Sequence, residues 1–147
     1  MAGIAGAPVP PEWAREHKWI LGLRRDQMAR EPEHEPWLLR AIVDRERQVL
    51  VGHVGFHGAP GTNALAAPDA VELGFTIEPA YRRHGYASEA ALALMRWAQA
   101  VGIRRFLASV SPTNAPSLGL VAKLGFAEVT TVEDEADGPE IVFERRV

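Results

Sequence analysis

Between residues 71 and 77 apolar and polar positions alternate: Val71, Leu73, Phe75 and Ile77 are interleaved with Glu72, Gly74 and Thr76. A period of two predicts a strand with one apolar face, and Pro79 ends it. After Gly85 the period changes. Ala87, Ala91, Leu94, Ala98 and Val101 fall three or four positions apart, one stripe of a helix, with Gly102 placed to stop it. Upstream, "WLLRAIV" (37–43) is rich in strand formers, "DRERQ" makes a charged turn, and "VLVGHVGFHG" (49–58) alternates as a second strand. Together they predict a hairpin.

The remaining segments follow the same two periods. Pro10 and Pro11 open a helical stretch with Trp13, Ile20, Leu21, Leu23 and Met28 as its apolar positions, interrupted by Gly22 and Pro32. "APGTNALAAPDA" is too rich in Gly and Pro to be regular. "RRFLASVS" predicts a strand, and "NAPSLGLVAKLGF" a short helix that opens near Asn114 or Ser117 and closes at Gly125. "AEVTTVE" and "EIVFERRV" predict a last hairpin around "DEADG". The order is helix, strand, strand, strand, helix, strand, helix, strand, strand. That order defines an α/β (α+β) domain built on a mixed, mostly antiparallel sheet flanked by helices.

Length and charge narrow the possibilities. A chain of 147 residues predicts a single domain, 1–147, with 1–11 as a flexible lead-in. The formal net charge of −3 offers no basic field for nucleic acid. No apolar run approaches the ~18 residues of a membrane span. The first residues lack the basic-then-apolar order of a signal peptide. The absence of cysteine excludes disulfides, a thiol nucleophile and a thiolate metal site, and fits a cytoplasmic location. The five histidines are scattered without metal-ligand spacing, so no metal is expected.

Candidate chemistry concentrates at "YRRHGYASEA" (81–90), where two arginines, a histidine and Gly85 stand between a strand and a helix. The first helical turn carries amide groups without internal partners, and the helix dipole adds positive character there. Such a turn can hold an anion, phosphate best of all. A plain strand-to-helix turn with exposed arginines accounts for the same residues. Neither G-x-x-x-x-G-K-[ST] nor G-x-G-x-x-G is present.

The turn together with "ASVSPTNAPSLGLVAKLGF" resembles the GNAT superfamily of acetyl-CoA-dependent N-acetyltransferases over residues 37–147. The second-helix run Asn114, Ser117, Leu120, Lys123 to Phe126 is similar to the branch containing ribosomal-protein N-terminal acetyltransferases. The family's [QR]-x-x-G-x-[GA] pattern stands here as Arg82-Arg83-His84-Gly85-Tyr86-Ala87, followed by Ser88. The resemblance implies acetyl-CoA as cosubstrate, its pyrophosphate on these residues. It implies a sheet splayed between 71–77 and 105–110, with the pantetheine arm in the gap against Phe75 and Ile77. Contacts from Asn114, Ser117 and Lys123 are implied too, although Asn114 and Ser117 also suit a helix cap.

Transfer to an amine needs a base and a stabilised leaving thiolate. The resemblance points to Glu72 as the base, directly or through water. The tyrosine that many family members carry four residues before the helix-ending glycine is replaced by Val121. That leaves Ser117, a water or unassisted thiolate departure. His53 and His57 could approach the acceptor but read more readily as surface or hydrogen-bonded histidines. Trp13, Trp19 and Trp37 read as core, and Glu31, Glu33 and Glu35 as a solvated run. The acceptor is an amine, a peptide N-terminus or a small molecule.

Family members start with another strand and helix, whereas about ten loose residues precede Trp13 here, so the first strand is expected to be missing. The edge at 37–43 is then open to a second copy, which predicts a homodimer; a covering helix at 12–30 is the competing arrangement. A non-catalytic acyl-CoA-binding module and a nucleotide phosphate-binding enzyme are the rival readings.

Overall fold

The computed structural model describes residues 7–147. Part of the lead-in expected to be flexible, residues 1–6, lies outside them. Ala7 is buried in an isolated β-bridge, and helix α1 (Pro11–Glu16) begins directly after Pro10. Helix α2 (Lys18–Arg30) follows, then a 3-10 turn at Pro32–Trp37. The helical stretch breaks at His17 and not at Gly22. A Cβ at Gly22 would meet nothing within 4 Å, so this glycine is only a weak spot on an open helix surface.

Strands β1 (Arg40–Asp44), β2 (Val49–Phe56) and β3 (Ala70–Ile77) form an antiparallel meander. Strand β1 begins three residues later than the sequence predicted, because Pro32 and Pro36 hold the chain in the preceding 3-10 turn. Helix α3 (Tyr86–Ala100) crosses over to β4 (Arg105–Val110), parallel to β3. Helix α4 (Ala115–Lys123) leads into the β5 (Ala127–Asp134) and β6 (Gly138–Arg146) hairpin. The six strands run in the order β1-β2-β3-β4-β6-β5, with one parallel pair. The mostly antiparallel mixed sheet is the one expected.

The register around β3 determines where a site can form. β3 pairs with β4 only over Ala70–Glu72 against Arg105–Leu107, while its second half, Leu73–Ile77, pairs with β2. β4 stays with β6 along its whole length. The two central strands therefore part beyond Glu72, in the splay that the family resemblance implies.

The core lies under α3. Ala91, Leu94, Met95 and Ala98 pack on Val71, Leu73, Phe106 and Ala108. Val101, the last member of the predicted stripe, is 55% exposed, because the helix ends at Ala100 before its stripe returns to the sheet. Trp13 is buried and Trp37 packs against the core, but Trp19 is 76% exposed. Trp19 follows Lys18 at the opening of α2, which contributes no buried residue. Glu31, Glu33 and Glu35 are exposed, as expected.

Candidate active site

Where β3 and β4 part, a cleft of about 710 Å³ opens toward α3 and α4. From β3, Phe75 and Ile77 line it. From the turn and the head of α3 come Arg82, Arg83, Gly85, Tyr86, Ala87 and Ser88. Asn114, Ser117 and Lys123 face it from α4. Leu120 of the second-helix run lines it as well, and so do Thr76 and Gly119, which were not singled out. Cross-strand and inter-helix register brings them in, and no local signal marks them.

The turn has the conformation an anion cradle requires. Gly85 is the N-cap of α3 at φ 81°, and it offers no side chain to cap the helix. A Cβ there would meet nothing within 4 Å, so the space in front of the first-turn amides is open. Arg83 is also left-handed, at φ 64°. Arg82 Nε donates to the Ile77 carbonyl at 3.0 Å, which ties the turn back to β3. His84 is the exception among the residues expected to hold the coenzyme: it does not line the cleft, and its Nδ1 donates to the carbonyls of Tyr81 and Arg82 at 3.1 and 2.8 Å. Tyr86 sends its hydroxyl to Asp44 Oδ2, pinning the helix head to the end of β1.

Asn114 caps α4, its Oδ1 accepting from the Ser117 amide at 3.2 Å. Capping and facing the cleft coexist. Val121, where a tyrosine was sought, is fully buried in the core and offers no acid.

Glu72 stands at the apex of the splay, outside the cleft lining, and its side chain keeps only 3% of its surface exposed. Its Oε1 accepts from Ser109 Oγ across the opening. Its Oε2 accepts from the Ala64 amide at 3.0 Å and pairs with His57 Nδ1 at 3.1 Å. Burial pushes the carboxyl up, but the His57 hydrogen bond and charge, with Ser109 and Ala64, outweigh it and hold the group below its ordinary value. Ala64 belongs to the irregular 59–70 loop. Asn63 orders that loop, its Oδ1 accepting from Leu65 and Ala67 and its Nδ2 donating to Ala67 and Ala70.

The same face carries a second polar group. His53 lies opposite Thr76, is 7% exposed and leaves Nδ1 without a partner. Burial, then the neighbouring His17, lowers its pKa to about 4. Trp13 stacks on His17 at 4.4 Å between ring centroids, and both bond to Glu78. Among the described residues, Asp134, Asp137 and Glu140 lie close enough together to share a cation. Asp134 Oδ1 already accepts from the amides of Ala136 and Asp137 in the β5–β6 turn.

The model of the acetyltransferase (GNAT) domain matches residues 3–127, and the chain belongs to this family. It is 31% identical over 85 residues to the uncharacterized N-acetyltransferase YnaD of Bacillus subtilis (strain 168), covering 57% of this chain and 46% of that one. The chain spans about half the length of the curated relatives it matches. Its fold is similar to the ribosomal-protein-S5-alanine acetyltransferase of Vibrio fischeri, with TM-score 0.66 and 18% identity over 95% of this chain and 76% of that one. It is also similar to the microcin C7 self-immunity acetyltransferase MccE in complex with acetyl-CoA and AMP, with TM-score 0.57 and 14% identity over 67% and 55% of the two chains. No described helix is long and apolar enough to cross a membrane.

Proposed function

We propose that the chain is an acetyl-CoA-dependent N-acetyltransferase that moves the acetyl group directly to an amine, either a peptide N-terminus or a small molecule, in the cytoplasm. The observation that carries this reading is the open, left-handed Gly85 turn at one end of a cleft that runs toward the β3–β4 apex. The free first-turn amides of α3, with Arg82 and Arg83 beside them, suit a pyrophosphate. The wall from Phe75 to Ile77 offers strand backbone and apolar side chains to a pantetheine arm. Asn114 and Lys123 border it on the opposite wall. When bound, acetyl-CoA supplies an activated acyl group whose thiolate is a fair leaving group.

The chain's own residues would supply the rest. The Glu72 carboxylate furnishes negative charge at the apex for deprotonating the amine. Ser117 offers a hydroxyl to the departing sulfur from α4. A screen of amines with isotopically labelled acetyl-CoA, read by mass spectrometry, tests the reading. We expect a labelled amide together with free coenzyme A. Acetyl-CoA that binds but never transfers would leave only a binding module, and no binding at all would reject the cleft.

A homodimer belongs to the same proposal. β1 is a terminal strand of the sheet among the described residues, and its Ala41–Val43 stretch carries no charge to discourage edge pairing. Light scattering across a dilution series should show a mass above the 16.1 kDa of one chain. A constant single-chain mass would reject the dimer.

A further inference from the structure

His57 follows β2 and faces Glu72 across the antiparallel ladder. Its backbone is held at both ends. The amide donates to the Glu72 carbonyl at 2.9 Å, and the carbonyl accepts from Gln27 Nε2 at 2.9 Å and from Arg24 at 3.1 Å. Its Nδ1 meets Glu72 Oε2 at 3.1 Å. An ionised carboxylate only accepts, so Nδ1 carries a proton, and whenever the ring is neutral its lone pair lies on Nε2.

That Nε2 is directed over Gly74, where a side chain would place its Cβ 3.2 Å away. Gly74 lies on β3 between Glu72 at the apex and Thr76 in the cleft. The His57 side chain keeps 40% of its surface exposed, against 3% for Glu72. The buried carboxylate already holds Ser109, Ala64 and His57, whereas the imidazole is partly open to solvent and its Nε2 lies over Gly74, between the apex and the cleft.

We infer that His57 is the proton acceptor of the transfer reaction and that Glu72 is its positioning residue. The inference rests on the acetyltransferase reading and deepens it. His57 Nε2 first takes a proton from the incoming ammonium and passes it to solvent; the freed lone pair then forms the new C–N bond to the acetyl carbon, and His57 Nε2 takes the second proton from that nitrogen. The C–S bond breaks with its electron pair going to sulfur, which ends as the thiol with a proton from Ser117 or solvent. His57 then returns its proton to solvent. The charged groups around the ring are Glu72 from β3, Arg24 from α2 and, within electrostatic reach, Glu140 from β6. Two of the three are acidic, which favours an amine arriving as a cation.

The test has a structural arm and a kinetic arm. In the ring-nitrogen NMR spectrum of the wild-type chain, with His57→Ala used to assign the signals, His57 should show a protonated Nδ1 and a bare Nε2 at neutral pH. Glu72→Leu, checked for folding by circular dichroism, should lose that tautomer bias. A wild-type ring protonated on Nε2 instead overturns the dyad whatever the enzyme does. In the kinetic arm, acetyl-CoA consumption is followed with spermidine and with a short peptide bearing a free N-terminus. His57→Ala should lower kcat by about 10²- to 10⁴-fold, with partial rescue by added imidazole and unchanged acetyl-CoA affinity in calorimetry. Glu72→Gln should lower kcat as well, and the double variant should be no worse than His57→Ala, because groups acting as a unit are not additive. Near wild-type turnover in His57→Ala with a loss in Glu72→Gln would return the base role to Glu72. A wild-type chain that binds acetyl-CoA but acetylates nothing in the full amine screen overturns His57 as a base. A chain that binds no acetyl-CoA fails the underlying reading, while the tautomer remains measurable.

Discussion

The cleft proposed for the coenzyme and the Glu72–His57 face lie on either side of the point where β3 leaves β4, and they are built in opposite ways. The head of the cleft comes from one continuous turn, Arg82 to Ser88, and its donors are backbone amides exposed to solvent. The other face is assembled from α2, the end of β2, the 59–70 loop, β3 and β4, and its central carboxylate is buried. A backbone site tolerates side-chain change as long as φ and the open space survive. A buried side-chain network does not, because each partner removed leaves another without its hydrogen bond.

Substitutions that separate binding from stability put this contrast to the test. Glu72→Ala should have the largest effect on folding. It leaves Ser109, His57 and the Ala64 amide unmatched at the apex, and should cost about 3 kcal/mol by chemical denaturation, with acetyl-CoA affinity measured on the folded fraction little changed. A drop within experimental scatter would mean that the network is not what holds the loop on the sheet.

Gly85→Glu should do the reverse. The added Cβ meets open space, so the fold should lose only the strain of a left-handed non-glycine residue, about 1–2 kcal/mol. A carboxylate beside the pyrophosphate should weaken acetyl-CoA by about 100-fold or more. Calorimetry showing wild-type affinity would remove the turn from the binding site.

His53 gives a smaller, pH-dependent effect. In the unfolded chain it takes a proton near the ordinary 6.5, but in the folded chain only near about 4. The unfolded state therefore binds more protons between these values. The stability tied to the neutral ring is complete above pH 6.5 and declines as pH falls toward 4. Thermal melts should show this slope, and His53→Leu should flatten it. An unchanged slope would place the acid sensitivity elsewhere. Asn114→Ala should give the smallest change. It removes the cap on the Ser117 amide at a cost of about 1 kcal/mol, and reduces acetyl-CoA affinity only slightly if capping outweighs contact.

The same contrast explains what could be read before the fold was seen. The period-two run at 71–77 became β3, and the three-four spacing after Gly85 became α3, because each pattern buries one face of one element. The errors fell where neighbours decide. Gly22 stayed inside a helix whose break came at His17, and Trp19 ended in solvent because α2 buries no residue. Ser109 gave no signal, and strand spacing showed only that His57 could approach the acceptor, since nothing local distinguishes a histidine over a glycine from a surface histidine.

The sequence by itself determined the element order and the left-handed turn at the head of α3. Periodicity, a glycine that must take a positive φ and a helix start are properties of a few adjacent residues. Only the tertiary structure decided that Glu72 would be buried, that His57 would meet it at 3.1 Å and that Ser109 would close the apex. Those relations depend on strand register between β2, β3 and β4. Register is set by which whole faces pack together, and the alternation within one strand does not reveal its partner's alignment.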